Sequence, residues 1–124
     1  MIILDTDVLI EILDKKSTNG DIALQKLEDL GEDIAITSIN LLEILYGIYK
    51  YGKKTVKELD LIETLEFNGE DAQLSAKLEL ECERMGKPVS RTDSMIAAIA
   101  INRKAKIFTF NKKHFQAFTK LELI

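Results

Sequence analysis

Residues 2–10, Ile-Ile-Leu-Asp-Thr-Asp-Val-Leu-Ile, decide how the rest of the chain is organised. Three branched apolar residues open this stretch, which is the pattern of a parallel strand buried on both faces. The apolar run stops at Asp5, and Asp5-Thr6-Asp7 supplies turn and cap residues for a helix. A strand that leads directly into a helix predicts the first half of a βαβ unit. Function gathers at the carboxyl ends of such strands, so Asp5 is a candidate site residue.

Strand and helix patterns alternate along the rest of the chain and predict one α/β domain over residues 1–124, with a parallel sheet flanked by helices. The further predicted strands cover residues 33–37, 66–69, 106–110 and 121–124. The predicted helices cover residues 8–13, 21–30, 39–51, a segment ending near 64, 70–85 and 94–102. A polar bridge and several helix caps are also predicted: the bridge holds Lys53, Lys54 and Lys57, and the caps are Asp7, Thr92 and either Ser38 or Asn40.

Composition excludes several classes of protein. No apolar run approaches the ~20 residues that span a membrane. The apolar start lacks the basic segment of a signal peptide. Cys82 is the single cysteine, so an internal disulfide framework is excluded and a reducing cytoplasm is the expected location. Its position within a helical pattern predicts a small buried apolar residue.

Charge is distributed unevenly along the chain. Residues 1–83 carry 8 basic and 19 acidic side chains, whereas residues 84–120 carry nine basic side chains and one acid. The basic third is either a surface for phosphate or an ordinary solvated surface. Its one acidic residue is Asp93, so a single carboxylate lies within a stretch that is rich in positive charge.

Acidic or polar residues recur where strands end and helices begin. Asp5 follows the first strand, and Glu43 lies just inside the helix after the second. Asp93 precedes apolar residues three, four, seven and eight positions later, so its side chain should face the sheet. The residues Asn111 to His114 follow the fourth strand. Three carboxylates are thus predicted to converge at one edge of the sheet.

Each of these residues also has a purely structural explanation. Asp93 would favour the positive end of a helix dipole, and Glu43 would pair with Asn40 in a capping box. His114 would be an ordinary surface residue. Taken together, however, clustered carboxylates are costly without a cation or proton. Oxygen ligands favour Mg²⁺ or Mn²⁺ over zinc.

Four segments of the chain occur in a diagnostic order. They are residues 3–9 (Ile-Leu-Asp-Thr-Asp-Val-Leu), 37–47 (Thr-Ser-Ile-Asn-Leu-Leu-Glu-Ile-Leu-Tyr-Gly), 90–100 (Ser-Arg-Thr-Asp-Ser-Met-Ile-Ala-Ala-Ile-Ala) and 109–115 (Thr-Phe-Asn-Lys-Lys-His-Phe). With these segments the chain resembles a PIN domain and, within that family, a VapC toxin. The resemblance spans nearly the whole chain.

The resemblance implies four or five parallel strands in the order 3-2-1-4-5 and an Mg²⁺-dependent endoribonuclease in which Mn²⁺ can substitute. It implies a homodimer that a cognate VapB antitoxin neutralises. Asp5 and Asp93 would be direct metal ligands, with Glu43 a further ligand or the residue that orients water. Many relatives carry Asp or Glu where His114 stands, so either His114 or Asn111 makes the fourth contact.

Two further interpretations concern the basic and aromatic residues. The cationic side chains that border the acidic centre are candidate contacts for RNA phosphates: Arg91, Lys112 and Lys113. All the tyrosines share one short helical segment: Tyr46, Tyr49 and Tyr51. Core packing is the simpler explanation for them. A partner interface near residues 8–50 is the alternative, because tyrosine combines an apolar ring with a polar tip.

Two other functions remain open at this point. Asp5-Thr6-Asp7 resembles the first motif of haloacid-dehalogenase-like phosphatases, with Asp5 as nucleophile, although Val8-Leu9 replaces the usual Gly-Thr and no late paired-Asp motif follows. The second alternative is a catalytically weak module that binds RNA or a protein partner.

Overall fold

The sheet has four parallel strands, and the computed structural model describes residues 1–53 and 56–124 of the chain, so Lys54 of the predicted bridge lies outside the described residues. The strands are β1 (Ile2–Leu4), β2 (Ile34–Thr37), β3 (Glu63–Leu65) and β4 (Lys106–Phe108). Their spatial order is β3-β2-β1-β4, which confirms the predicted order of the first four strands. β1 lies at the centre, where Ile3 is aligned with Ala35 of β2 and with Ile107 of β4.

Five α-helices cover the two faces of the sheet in the described parts of the chain. They are α1 (Thr6–Leu13), α2 (Thr18–Leu30), α3 (Ser38–Lys50), α4 (Gly69–Arg84) and α5 (Arg91–Asn102). Two short 3₁₀ helices, at Lys57–Leu61 and Lys112–His114, lie before β3 and after β4.

The core consists of one apolar cluster on each face of the sheet. Side chains alternate between the faces of a strand, so Ile2 and Leu4 pack with α1, α2 and α3 while Ile3 packs with α4 and α5. α5 is buried along most of its length, because small alanines such as Ala97 and Ala100 allow it to lie close against the sheet. Cys82 is buried in the same cluster as α5, as predicted.

The predicted third strand is wrong by three residues. β3 covers Glu63–Leu65, and the helix predicted to end near residue 64 is the 3₁₀ helix Lys57–Leu61. Apolar residues recur every three positions at Val56, Leu59 and Ile62, and three is the number of residues per turn of a 3₁₀ helix. The α-helical interpretation of this spacing was therefore wrong.

Three other predictions also need correction. The predicted strand at 121–124 is a single parallel bridge between Ile107 and Leu123, because turns occupy the preceding residues. The cap of α5 is Ser90 and not Thr92, and the cap of α3 is Thr37, one residue before the first predicted choice. No helix of the described residues has the length and hydrophobicity needed to cross a membrane.

Gly20 marks a very close approach between α2 and α1. A Cβ atom at this position would lie 2.0 Å from the backbone oxygen of Glu11. We expect Gly20→Ala to lower the free energy of unfolding by about 1–3 kcal/mol, because a backbone atom cannot move aside without separating the helices. Urea unfolding measures this change.

Gly47 provides the matched control for that substitution. It also lies inside a helix, α3, but a Cβ atom there would meet no atom within 4 Å. Gly47→Ala should stabilise the protein by roughly 0.5–1 kcal/mol, the ordinary preference of a helix for alanine. Equal effects of the two substitutions would contradict the close contact.

An ion pair between the fully buried Asp71 and the 25% exposed Arg103 joins α4 to the end of α5. The Asp71 side chain has no exposed area, and its Oδ1 accepts hydrogen bonds from Arg103 Nη1 at 3.0 Å and Asn102 Nδ2 at 2.8 Å. Its Oδ2 accepts from the backbone amide of Asn68 at 3.0 Å. Arg103 continues to the backbone oxygen of Glu66 at 2.9 Å, so the pair also fixes the segment after β3.

Candidate active site at the carboxyl edge of the sheet

Asp5 stands at the carboxyl end of the central strand and is held from three directions. Its backbone amide donates to the oxygen of Phe108 at 2.9 Å, which ties the end of β1 to the end of β4. Its carboxylate accepts from the Thr6 amide at 2.9 Å and from the Thr109 hydroxyl at 2.8 Å. Asp5 therefore caps α1. The hydrogen bond from Thr109 also fixes the orientation of the Asp5 carboxylate, which capping alone would not require.

Glu43 reaches the same edge from α3. Its Oε1 accepts a hydrogen bond of 2.9 Å from the hydroxyl of Thr6. Asn40 is fully buried and donates to the Thr6 hydroxyl at 3.1 Å, with a longer contact of 3.5 Å to Asp5 Oδ1. Asn40 forms its capping box with Thr37, so the predicted pairing of Asn40 with Glu43 is wrong. Glu43 pairs instead with Thr6, the residue that follows Asp5.

Asp93 approaches from the first turn of α5. Ser90 caps this helix and accepts from the Asp93 amide at 3.1 Å. Only 20% of the Asp93 side chain is exposed, which agrees with the inward direction that the apolar spacing predicted.

His114 and Asn111 lie at the edge of this centre. His114 Nδ1 is 3.9 Å from Asp93 Oδ2, and the other ring nitrogen is 3.1 Å from Asn111 Nδ2. The His114 ring therefore lies between the carboxylate of Asp93 and the side-chain amide of Asn111. His114 is 58% exposed, so it is a surface residue as predicted, and it also lies next to Asp93.

The electrostatics of the centre show that its carboxylates repel one another. Burial raises the pKa of Glu43 above its usual 4.5, and the charges of Asp5 and Asp93 raise it further against the hydrogen bond from Thr6. Burial also raises the pKa of Asp93 above 3.8; Ser90 and His114 oppose that shift, and Asp5 adds to it. Negative charge at this edge is therefore incompletely compensated.

Asp7 belongs to the same negative region. Burial and then the charge of Asp5 raise the pKa of Asp7, while the backbone amides of Val8 and Phe110 and the charge of His114 lower it. Its carboxylate accepts from the Val8 amide at 2.7 Å, a local contact within the first turn of α1.

A cleft of about 670 Å³ opens beside these carboxylates. Glu43, Asp93 and His114 line one side, and Lys87 and Lys113 bring positive charge to the lining. Of the predicted RNA contacts, Lys113 lies in this cleft, and Lys112 lines an adjacent groove. Arg91 lies outside both and pairs with Glu79, with 3.2 Å between Nη2 and Oε2.

The sequence did not predict which hydrogen-bond donors orient the carboxylates. Thr6, Asn40 and Thr109 hold the carboxylates in place, and Lys87 lines the cleft. An asparagine on the apolar side of a predicted helix was the one available signal, because a buried amide needs partners. The threonine contacts join residues that are 37 and 104 positions apart, a separation that local patterns do not report.

The donor chemistry of the site fits a hard divalent cation. Among the described residues, no three carboxyl, imidazole or thiol groups are gathered closely enough to hold a metal ion as they stand. The side chains that meet here nonetheless offer oxygen atoms, which Mg²⁺ and Mn²⁺ prefer. Asp5 Oδ2 keeps a lone pair beyond its hydrogen bond from Thr109, and a cation would offset the mutual repulsion of the carboxylates.

This fold and site define a class of protein. Residues 2–121 match the PIN domain family, and the chain belongs to that family. The chain is 30% identical over 128 residues to Ribonuclease VapC2 of Rickettsia felis, an alignment that covers 97% of this chain and 93% of the relative. It is 29% identical to Ribonuclease VapC1 of Methanocaldococcus jannaschii, over 93% of this chain and 79% of the relative.

Solved structures of similar fold are also known. A chain in the crystal structure of VapBC2 from Rickettsia felis, bound to a DNA fragment from its promoter, aligns with a TM-score of 0.80 and 29% identity, covering 100% of this chain and 98% of that one. A chain of FitAcB from Neisseria gonorrhoeae aligns with a TM-score of 0.83 over 100% of this chain and 96% of that one; at 23% identity it supports the fold only.

Proposed function

We propose that this chain is a metal-dependent endoribonuclease, the toxin of a VapBC-type toxin–antitoxin module. The observation that carries the proposal is the convergence of Asp5, Glu43 and Asp93 beside a cleft lined by lysines. The VapC relatives are named as ribonucleases, and their similarity covers almost the whole chain. Because the PIN match includes residues 5–7, the phosphatase alternative is not retained.

Each acidic residue has a role that its surroundings support. Asp5 and Asp93 would hold Mg²⁺ or Mn²⁺, and Glu43 would be a further ligand or would orient the attacking water. The ion, when bound, supplies positive charge and lowers the pKa of water. Thr6, Asn40 and Thr109 keep Asp5 and Glu43 oriented, which lowers the entropic cost of positioning these two carboxylates. Lys87 and Lys113 would hold RNA phosphates that the acidic centre otherwise repels.

A digest of total RNA by the purified protein tests this function. We expect internal cleavage in Mg²⁺ or Mn²⁺ and no cleavage in excess EDTA, and mapping of the product ends would give the cleavage site. Undiminished cleavage in EDTA would contradict metal dependence. RNA binding without cleavage in any divalent ion would favour a catalytically inactive binding module.

His114 provides a test of the fourth position. A neutral imidazole offers nitrogen, which Mg²⁺ accepts poorly, so we expect weak Mg²⁺ binding and tighter Mn²⁺ binding. His114→Asp should tighten Mg²⁺ binding by about tenfold, the lower end of the effect of groups around a metal site. Calorimetric titration of both ions into the two proteins measures this change.

Asn111 is the competing candidate for the same position. If Asn111→Ala weakens metal binding and His114→Asp leaves it unchanged, the fourth contact belongs to Asn111 and the expectation for His114 is wrong. Gln116→Ala is a suitable control, because Gln116 lines the same cleft and no described hydrogen bond joins it to a carboxylate.

We also propose a homodimer and a VapB-type antitoxin as partners. The tyrosines of α3 and of its C-cap are exposed, so core packing was the wrong explanation for them: Tyr46 63%, Tyr49 70% and Tyr51 71%. Exposed aromatic residues are typical of interfaces. The chain aligned in the VapBC2 structure from Rickettsia felis belongs to a VapBC assembly, which supports an antitoxin partner here.

Self-association can be measured by light scattering over a range of concentrations. We expect a dimer, and the double substitution Tyr46→Ser with Tyr49→Ser should raise its dissociation constant by at least tenfold if this surface is the interface. The matched control changes two exposed apolar residues to serine, Leu80 of α4 and Met85 at its C-cap. A monomer at high concentration would contradict the dimer.

A further inference from the structure

A second groove lies next to the cleft and contains an exposed aromatic ring. It has a volume of about 670 Å³ and runs between α2 and the segment that follows β4. We call it the Phe110 groove and define it by the lining residues that matter here: Ile22, Lys26, Phe110, Lys112, Lys113 and Gln116.

Phe110 differs from the other phenylalanines of the described chain. Phe108, Phe115 and Phe118 are at most 4% exposed and Phe67 is partly buried, whereas Phe110 is 48% exposed. Its ring contacts Phe108 edge to face, with centroids 5.8 Å apart and planes at 84°. One side of the ring is therefore supported by the core while another faces solvent.

The backbone on either side of Phe110 is fixed to the acidic centre. Thr109 donates its hydroxyl hydrogen to Asp5, and the Asn111 amide donates to the Thr109 hydroxyl at 3.0 Å. Asn111 in turn contacts His114. The exposed ring is thus held in a defined position beside the site, and a contact with it would cost little conformational entropy.

The charges of the Phe110 groove are positive. Lys26, Lys112 and Lys113 line it, and no acidic residue is found among the described residues of its lining. Lys26 Nζ lies 5.1 Å from the centre of the Phe108 ring, which places its ammonium near the floor of the groove. An exposed aromatic ring surrounded by lysines is the combination that binds single-stranded nucleic acid, since the ring stacks on a base and the ammonium groups hold phosphates.

The Phe110 groove is continuous with the cleft. Lys113 and Gln116 line both, so they form the boundary between the acidic centre and the exposed ring. A polyanion that passes from the cleft across Lys113 would keep a positive charge beneath it and reach Phe110 next. This path avoids the acidic edge of the sheet, where a phosphate without a cation would be repelled.

We propose that the Phe110 groove binds a nucleotide of single-stranded RNA that flanks the cleaved bond, with its base stacked on Phe110 and its phosphates held by Lys112 and Lys113. The proposal rests on the proposed function for the position of the cleaved bond. Stacking on Phe110 then favours RNA segments whose bases are unpaired. Paired RNA is a poorer ligand because its bases are not free to stack.

A single tryptophan provides a direct readout of this contact. The chain contains no tryptophan, so Phe110→Trp introduces the sole one at the ring in question. The substitution is made together with Asp5→Asn to prevent cleavage, and single-stranded oligoribonucleotides are titrated in Mg²⁺. We expect saturable quenching of the fluorescence that weakens with salt and is smaller for a duplex of the same length. Leu61→Trp is the control, because Leu61 is 85% exposed and precedes β3 at the opposite edge of the sheet.

Binding measured with a labelled oligoribonucleotide gives a second readout. Phe110→Ala in the Asp5→Asn protein should raise the dissociation constant about 5- to 100-fold, the range for loss of one base stack. Phe110→Trp should restore binding, and Lys112→Gln should weaken it and reduce its salt dependence. Circular dichroism of each variant establishes that it is folded.

The outcomes separate this inference from the proposed function. If the wild type cleaves RNA but Phe110→Trp shows no more quenching than Leu61→Trp, the assignment of the groove is overturned and the nuclease stands. If RNA quenches Phe110→Trp but the wild type cleaves no RNA in any divalent ion, the groove assignment stands and the nuclease fails. Polyglutamate that quenches as strongly as RNA would show a surface for acidic protein segments, and would overturn the proposal.

Discussion

Asp93→Asn is expected to lower the rate of RNA cleavage by about 10²–10³-fold, the scale for loss of one group that stabilises the transition state. The substitution keeps the size of the side chain and the cap at Ser90 but removes the charge that would bind the metal. The same result is expected for Asp5→Asn. Gel analysis of a labelled RNA in Mg²⁺ measures the rates.

Stability provides the second half of this test. Burial raises the pKa of Asp93 above its usual value, so its ionised form costs free energy in the metal-free protein at neutral pH. Asp93→Asn removes that cost, and its unfolding temperature without metal should be equal to or above that of the wild type. Loss of activity in a less stable protein would be explained by unfolding.

A surface aspartate serves as the matched control for both measurements. Asp33 precedes β2 at the amino end of the sheet, where its side chain is exposed. Asp33→Asn should leave cleavage within about twofold of the wild type, since surface substitutions change stability by no more than about 0.5 kcal/mol. Full cleavage by both Asp5→Asn and Asp93→Asn would refute the proposed site.

The largest loss of stability is expected at Asp71, far from the cleft. Asp71→Ala should lower the free energy of unfolding by about 3–5 kcal/mol, because it leaves the Arg103 guanidinium without its buried partner. It also removes the acceptor for Asn102 and for the backbone amide of Asn68. Urea unfolding at pH 7 measures the loss. Glu58→Gln is the control, since its ion pair with Lys15 is exposed and 3.8 Å long.

The same ion pair predicts how stability depends on pH. Burial alone would raise the pKa of Asp71, but the hydrogen bonds from Arg103, Asn68 and Asn102 outweigh it and bring the pKa below the usual 3.8. A lowered pKa in the folded state adds stability above the unfolded value, and this contribution is lost as the pH falls through the folded value. The difference between wild type and Asp71→Ala should therefore shrink below about pH 3.8. A difference that stays constant with pH would show that packing, not charge, accounts for the loss.

Sequence reasoning predicted those features that depend on local periodicity. The buried strand at residues 2–4, the apolar helix α5 and the ends of strands that carry Asp5 and Asp93 follow from spacing within a few residues. It failed where one spacing fits two structures, as at Val56, Leu59 and Ile62, where a period of three was taken for an α-helix. The third strand was displaced for that reason.

Features that depend on distant partners were not predictable in the same way. In the sequence, Asp71 is one of several acidic residues of α4. Its ion pair with Arg103 joins residues that are 32 positions apart. The exposure of Phe110 was also hidden, because alternating apolar residues at the end of β4 suggested that the strand continued. A turn at Thr109 ends β4 instead and directs the Phe110 ring outward.

The position of β1 at the centre of the sheet has a consequence for synthesis of the protein. Of the four described strands β1 is synthesised first, and it is flanked by β2 and by β4, with Leu4 aligned with Phe108. A nascent chain therefore carries an unpaired edge on β1 until more than a hundred residues have been translated. Thr109, which orients Asp5, emerges at the same late moment. We expect chains that stall before this point to be inactive, aggregation-prone and readily degraded, because the acidic centre is complete only after Thr109 has been translated.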